Sequence, residues 1–163
     1  MPKKVAVIIT EEQHVGLNAD VFNSLAEKVI NEASATTVSG DISLVLVSDS
    51  KIQDLNNIYR GKNVPTDVLS FSLKDASNKD IFEKTTELED SIGEIIISVD
   101  TADRQAKEQN HKLSTEIEIL FVHGLLHVLG YDHEKAADRK KMLKAEMVVL
   151  GDNAGLIKRN LGE

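Results

Sequence analysis

Cysteine and tryptophan are absent from this 163-residue chain, proline occurs only twice, and aromatic residues make up 4%. Without cysteine the chain forms no disulfide and offers no thiolate to a metal, which fits a reducing cytosol. With so few aromatics the core is expected to be aliphatic, and the 41% of hydrophobic residues is enough for an ordinary globular protein. Long hydrophobic runs are also lacking. The opening MPKKVAVIIT has a basic head, but its apolar run covers only Val5 to Ile9, too short for a signal-peptide core. The longest apolar region, Ile117 to Gly130, is broken by Glu118, His123 and His127 and is shorter than a membrane span. A soluble cytoplasmic protein with no membrane partner is expected. Basic charge is in deficit: 19 Lys and Arg face 27 Asp and Glu, a net charge of −8. This argues against a high-affinity, sequence-independent nucleic-acid binder, because such binding is driven by basic side chains that displace counterions. A local basic cleft remains compatible with it.

The length suits one compact domain spanning residues 1–163. VAVII at 5–9 reads as a strand, and Asn18 to Ala33 has helical spacing through Val21, Phe22, Leu25, Val29 and Ile30. ISLVLV at 42–47 reads as a second strand, followed by a helix capped by Ser48 or Asp49 with Ile52, Leu55 and Ile58 on one face. Gly61 to Thr66 reads as a loop, VLSFSL at 68–73 as a half-buried strand, 74–91 as an exposed loop or loose hairpin, and GEIIISV at 93–99 as a buried strand. Helices are expected over Asp100–Asn110, from Ser114 to about Leu129 with Gly130 as its stop, and over Glu134–Leu150 with Met142, Leu143, Met147 and Leu150 inward. The order β-α-β-α-β-β-α-α-α predicts an α+β fold, a small mixed sheet covered by helices.

Three of the five histidines fall in HGLLHVLGYDH, residues 123–133. His123 and His127 are four apart on a predicted helix, so their side chains share a face, with Cβ atoms roughly 5–6 Å apart. That separation lets two imidazoles meet one zinc at about 2.0–2.1 Å. Gly130 permits a left-handed turn that can return His133 to the same point. Three imidazole nitrogens and an open fourth position describe a catalytic site for one zinc ion (Zn2+) per chain. The spacing H-x-x-x-H-x-x-G-x-x-H is also that of metzincin proteases, but there a glutamate general base follows the first histidine. Here that position is Gly124, which disfavours proteolysis. Either another group takes the proton, or the low pKa of zinc-bound water, about 7, suffices. Asp132, next to His133, is the nearest candidate proton acceptor, and it would serve equally to form the turn.

The string YRGKNVPTDVLSFS, Tyr59 to Ser72, together with HGLLHVLGYDHE, resembles the bacterial YbeY family of endoribonucleases, also called rRNA maturation factors. GEIIIS resembles the strand between these motifs, with Glu94 for the usual aspartate, and the match runs in order from about Asp41 to Gly151. Departures are Asn63-Val64 for a more usual Asp-Lys and Ser72 for a usual proline. The resemblance implies a zincin-like α+β fold whose active-site helix carries the HxxxH pair. It implies a zinc-dependent, single-strand-specific endoribonuclease acting in 16S rRNA 3′-end maturation and ribosome quality control. The implied partners are single-stranded RNA, the 16S rRNA precursor and the small ribosomal subunit, with a ribosomal protein or a GTPase as further candidates. The implied metal ligands are His123, His127 and His133, and Arg60 is implied as a catalytic or substrate-binding residue.

Chemistry supports these roles. Cleaving a phosphodiester builds negative charge on the non-bridging oxygens, which a cation and a Lewis acid stabilise. Arg60 offers a planar fork that matches phosphate, Lys62 adds a point charge for substrate binding, and Gly61 lets the backbone approach closely. Both cations would also be favoured simply by the end of a helix. Thr66 and Asp67 are expected to shape the loop, with Asp67 a candidate brace for a histidine or arginine. Glu116 and Glu146 read as helix-surface carboxylates, Arg139-Lys140-Lys141 as a solvent face, and His14 and His111 as loop histidines. Two rival functions remain: a zinc hydrolase of another substrate, such as a peptide or ester, and a non-enzymatic ribosome-assembly factor with a structural zinc.

Overall fold

The computed structural model describes residues 5–33, 38–73, 91–131 and 135–151. Its elements are β1 (Val5–Glu11), α1 (Ala19–Glu32), β2 (Gly40–Val47), α2 (Asp49–Arg60), β3 (Val68–Ser72), β4 (Ser91–Ser98), α3 (Val99–Glu108), α4 (Leu113–Val128) and α5 (Ala136–Leu150). The order is the one expected from hydrophobic periodicity. Of the exposed loop or loose hairpin expected over 74–91, residues 74–90 lie outside the described residues and Ser91 begins β4. Side-chain caps set three of the helix starts: Asn18 Oδ1 accepts from Asp20 N at 3.0 Å, Ser48 Oγ from Lys51 N at 3.2 Å, and Ser98 Oγ from Thr101 N at 3.3 Å.

The four strands form one mixed sheet in the order β1-β2-β4-β3. β1, β2 and β4 run parallel, and β3 joins β4 antiparallel as an edge strand. This is the expected α+β architecture, a small mixed sheet packed with helices. Helices cover both faces of the sheet. The larger core packs α1, α4 and α5 on one face around Phe22, Val29, Leu44, Ile95, Leu120 and Leu125. The smaller core sets Ile52 of α2 against Val47, Leu69, Phe71 and Ile96 on the other. β3 is therefore buried on both faces, Ser70 included, where alternation alone predicted a half-buried strand.

Two glycines let α4 close on the sheet. Asp41 pairs with Ser91 and Ile42 with Gly93, so Ile92 is an extra residue and β4 bulges there. A Cβ on Gly93 would lie 2.6 Å from the Phe71 carbonyl oxygen and 2.7 Å from Val128 Cγ1. One on Gly124 would lie 3.0 Å from Ile95 Cγ2 and 3.3 Å from Val68 Cγ2. α4 ends as its sequence predicts. Gly130 has φ 102°, Gly130 N donates to His127 O at 3.0 Å, and Tyr131 N donates to Leu126 O at 3.0 Å, the paired bonds of a Schellman cap.

α5 turns a different face inward from the one expected. Met142, Ala145, Glu146, Val149 and Leu150 are buried, whereas Leu143 and Met147 face solvent. The buried set keeps the three-and-four spacing of one helix face, and Glu146 lies within it. Among the described residues no helix is long and apolar enough to cross a membrane.

Candidate metal centre and RNA-facing edge

α4 is apolar on nearly all sides, because it is buried between the sheet, α1, α3 and α5. Beyond Ser114 and Thr115 in its first turn and the part-buried Glu118, its polar residues form one stripe: Glu116, His123 and His127, at helical spacings of seven and four. A buried polar group needs a partner, and the first two find theirs on neighbouring segments. His111 Nε2 lies 2.6 Å from Glu116 Oε1, and His123 Nδ1 lies 2.8 Å from Glu146 Oε1 on α5. Both carboxylates are buried, contrary to their reading as surface residues. His111 therefore serves the start of α4, whereas Glu146 contacts the first histidine of the pair, His123. His14 is exposed, 3.7 Å from Glu11.

The rings of His123 and His127 lie edge to face with centroids 4.8 Å apart. Two imidazoles that share one tetrahedral zinc at about 2.0–2.1 Å per nitrogen place their centroids roughly 5 Å apart, so the pair fits one ion. The Glu146 contact occupies Nδ1 of His123 and so commits Nε2 to any metal, the carboxylate–histidine arrangement that orients zinc ligands. His123 is buried, and His127, one turn later, is partly exposed where the helix reaches the surface. The third expected ligand, His133, and the candidate acid–base residue Asp132 lie outside the described residues. Among the described residues no three metal-binding side chains converge.

Position 124 explains the missing glutamate. Its Cα faces Ile95 and Val68 at close range, so a carboxylate-bearing side chain would have to enter the sheet–helix interface. The helix therefore supplies imidazoles to this site but no carboxylate at that position.

A cation reaches the same edge of the fold from the other side. Arg60, the last residue of α2, is exposed, yet its Nη2 donates to the Ser70 carbonyl of β3 at 3.3 Å, with its guanidinium carbon 5.9 Å from the Phe71 ring centroid. β3 is thus held from one face by Arg60 and Phe71, and from the other by Val68 against Gly124, the neighbour of His123. The loop after Arg60 is braced as well. Gly61 adopts φ 68°, Asn56 Nδ2 donates to Val64 O at 2.9 Å, and Gln53 Nε2 donates to Asn63 O at 3.2 Å. Lys62 is exposed on this loop. Asp67 Oδ1 accepts from Val68 N at 2.8 Å and its Oδ2 from Gln105 Nε2 at 3.2 Å, which fixes the start of β3.

Sequence reasoning missed Glu146 and the His111–Glu116 pair. The available signal was spacing: Glu116 lies on the helix face of His123, and Glu146 lies between Met142 and Val149 on an apolar stripe.

Comparison with known proteins identifies the family and supports the fold. A chain from Desulfitobacterium hafniense, described as endoribonuclease YbeY, is 40% identical over 144 residues, covering 87% of this chain and 88% of its own. One from Moorella thermoacetica with the same description is 44% identical over 133 residues, covering 80% and 85%. A solution structure of a Thermotoga maritima protein matches with a TM-score of 0.54 at 24% identity, over 98% of this chain and 99% of that one, which supports the fold. The family model for endoribonuclease YbeY matches residues 7–153, and the chain belongs to that family.

Proposed function

We propose that this protein is a zinc-dependent, single-strand-specific endoribonuclease of the cytoplasm, acting in 16S rRNA 3′-end maturation and ribosome quality control. The observation that carries the reading is the His123–His127 ring pair, braced by Glu146, on the helix that packs against the strand Arg60 grips. One zinc per chain would be held by His123, His127 and His133. When bound, it supplies a Lewis acid for the scissile phosphate and lowers the pKa of water.

The chain's own residues do the rest. Arg60 presents a guanidinium at the β3 edge, where it can pair with a non-bridging phosphate oxygen as negative charge develops. Its bond to Ser70 O fixes the fork before substrate arrives, so less side-chain entropy is lost on binding. Lys62 adds a second positive charge along the RNA backbone. Asp132 is assigned as acceptor of the proton leaving the attacking hydroxyl or water. With the position after His123 closed against the sheet, a peptidase-type glutamate has no place, which supports RNA over peptide as substrate. The net charge of −8 supports delivery to small-subunit RNA by a partner, such as a basic ribosomal protein or a GTPase, over tight binding of free RNA.

The test is cleavage of a labelled single-stranded RNA, free and within small ribosomal subunits, by wild type, His127→Ala and Arg60→Ala, with the metal content of each measured. Wild type is expected to carry close to one zinc and to cleave. His127→Ala should lose both properties. Arg60→Ala should keep zinc and fold and lose roughly 10²- to 10³-fold in turnover, the usual cost of removing one charge-stabilising donor. Equal cleavage by wild type and His127→Ala, or no wild-type cleavage of either substrate, would overturn the proposal.

A further inference from the structure

An acidic protein that handles a polyanion must confine their contact to a small area. Residues 55–66 and 119–131 are the two longest stretches of this chain without Asp or Glu. The second is the buried histidine helix and its cap. The first is the end of α2 and the braced loop, and it concentrates exposed apolar surface beside its two cations. Ile58 is 68% exposed, Val64 55% and Tyr59 41%, with Arg60 and Lys62 between them in sequence.

Tyr59 is the informative member. Its ring meets Phe71 of β3 at 5.6 Å between centroids and 73° between planes. The contact pins the ring without covering it. The Arg60 guanidinium approaches the same Phe71 ring. An aromatic side chain held rigid, part-exposed and next to a fixed arginine is costly as mere surface. It is the usual composition of a site that stacks an unpaired base and grips the adjoining phosphate.

We propose that Tyr59 is a substrate-binding residue that stacks one unpaired nucleobase of the RNA strand, beside the phosphate engaged by Arg60. The inference rests on the RNA-cleaving reading and deepens it. Stacking on Tyr59 needs a base face free of its duplex neighbours, so it would give the site a preference for single strands without base-edge readout. The loop bonds from Asn56 and Gln53 then hold Lys62 ready for the next phosphate.

The experiment measures kcat and KM of the full-length, zinc-loaded protein on a labelled single-stranded RNA whose cleavage site has been mapped. Each nucleotide around that site is replaced in turn by an abasic one. Tyr59→Ala is expected to raise KM by about 5-fold to about 150-fold with kcat largely kept, the range for loss of one base–aromatic stack. Tyr59→Phe, which retains the ring, should recover most of that loss. One abasic position should reproduce the KM increase in wild type and add little in Tyr59→Ala. If no abasic position raises KM for wild type, the proposal is overturned even if Tyr59→Ala misfolds. If KM is unmoved in Tyr59→Ala while binding to small subunits weakens, the residue serves a protein partner, and the proposal fails while the nuclease reading stands. If wild type cleaves no RNA at all, both fall together.

Discussion

Glu94 sits in the middle of the sheet on β4, opposite Phe71 of β3 and beside Ser43 of β2. Among the described residues nothing hydrogen-bonds or ion-pairs with its carboxylate, and burial pushes its pKa up from 4.5 to about 7. A carboxyl group whose folded pKa lies above its unfolded value binds its proton more tightly in the native state. Its protonated form is therefore favoured by folding, and that stability is fully present below about pH 4.5 and lost as pH rises through about 7. At roughly 1.4 kcal/mol per pKa unit, ionised Glu94 destabilises the fold above pH 7 by on the order of 3 kcal/mol. Glu94→Gln keeps the volume and removes the titration. Urea unfolding of both proteins between pH 5 and pH 8.5 should give similar stabilities at the acid end. The variant should become more stable by on the order of 2–3 kcal/mol at the alkaline end, most of the divergence falling between pH 5 and 7. Every other titratable group is common to both proteins and cancels in the difference. A stability difference that stays constant with pH would refute the burial argument.

Two further outcomes test how the site is held. Glu146→Ala should lower metal affinity by about 10- to 100-fold in a competition titration, the usual effect of removing a carboxylate that orients a ligating histidine, and unchanged affinity would show that His123 needs no brace. Gly93→Ala should lower the urea midpoint by an amount equivalent to about 1–3 kcal/mol, because its Cβ would meet the backbone oxygen of Phe71 as well as Val128. A neutral result would mean that α4 can retreat from the sheet.

The order of elements was legible because most of them obey local rules. Asn18 and Ser48 cap their helices and Gly130 ends α4, all from side-chain or backbone chemistry within a few residues. The histidine pair was legible for the same reason, since spacing of four on one helix fixes its own geometry. Glu116 and Glu146 were not, because a carboxylate in an isolated helix pattern reads as solvent-facing. What partners each once buried is a histidine outside its own helix, 5 residues away for Glu116 and 23 for Glu146. The placement of Arg60 was equally hidden. Its helix-end position allowed a purely solvated side chain, and only the antiparallel pairing of β3 beside β4 brings the Ser70 carbonyl within its reach.

Gly124 joins these strands of reasoning. Read in the linear pattern, a glycine after the first histidine is a missing catalytic base. In three dimensions it is a contact point, with Ile95 and Val68 within 3.5 Å of where its Cβ would stand. Bringing α4 this close to the sheet sets His123 and His127 near the β3 edge, and the same closeness excludes any side chain that could act as a base from that position. The missing charge must then come from outside the helix. Glu146 lies behind His123, 2.8 Å from its Nδ1, and the Arg60 guanidinium reaches β3 at the Ser70 carbonyl. On the proposed RNA-cleaving reading, imidazoles on one side of an edge strand and a guanidinium on the other would suit a substrate that is itself an anion.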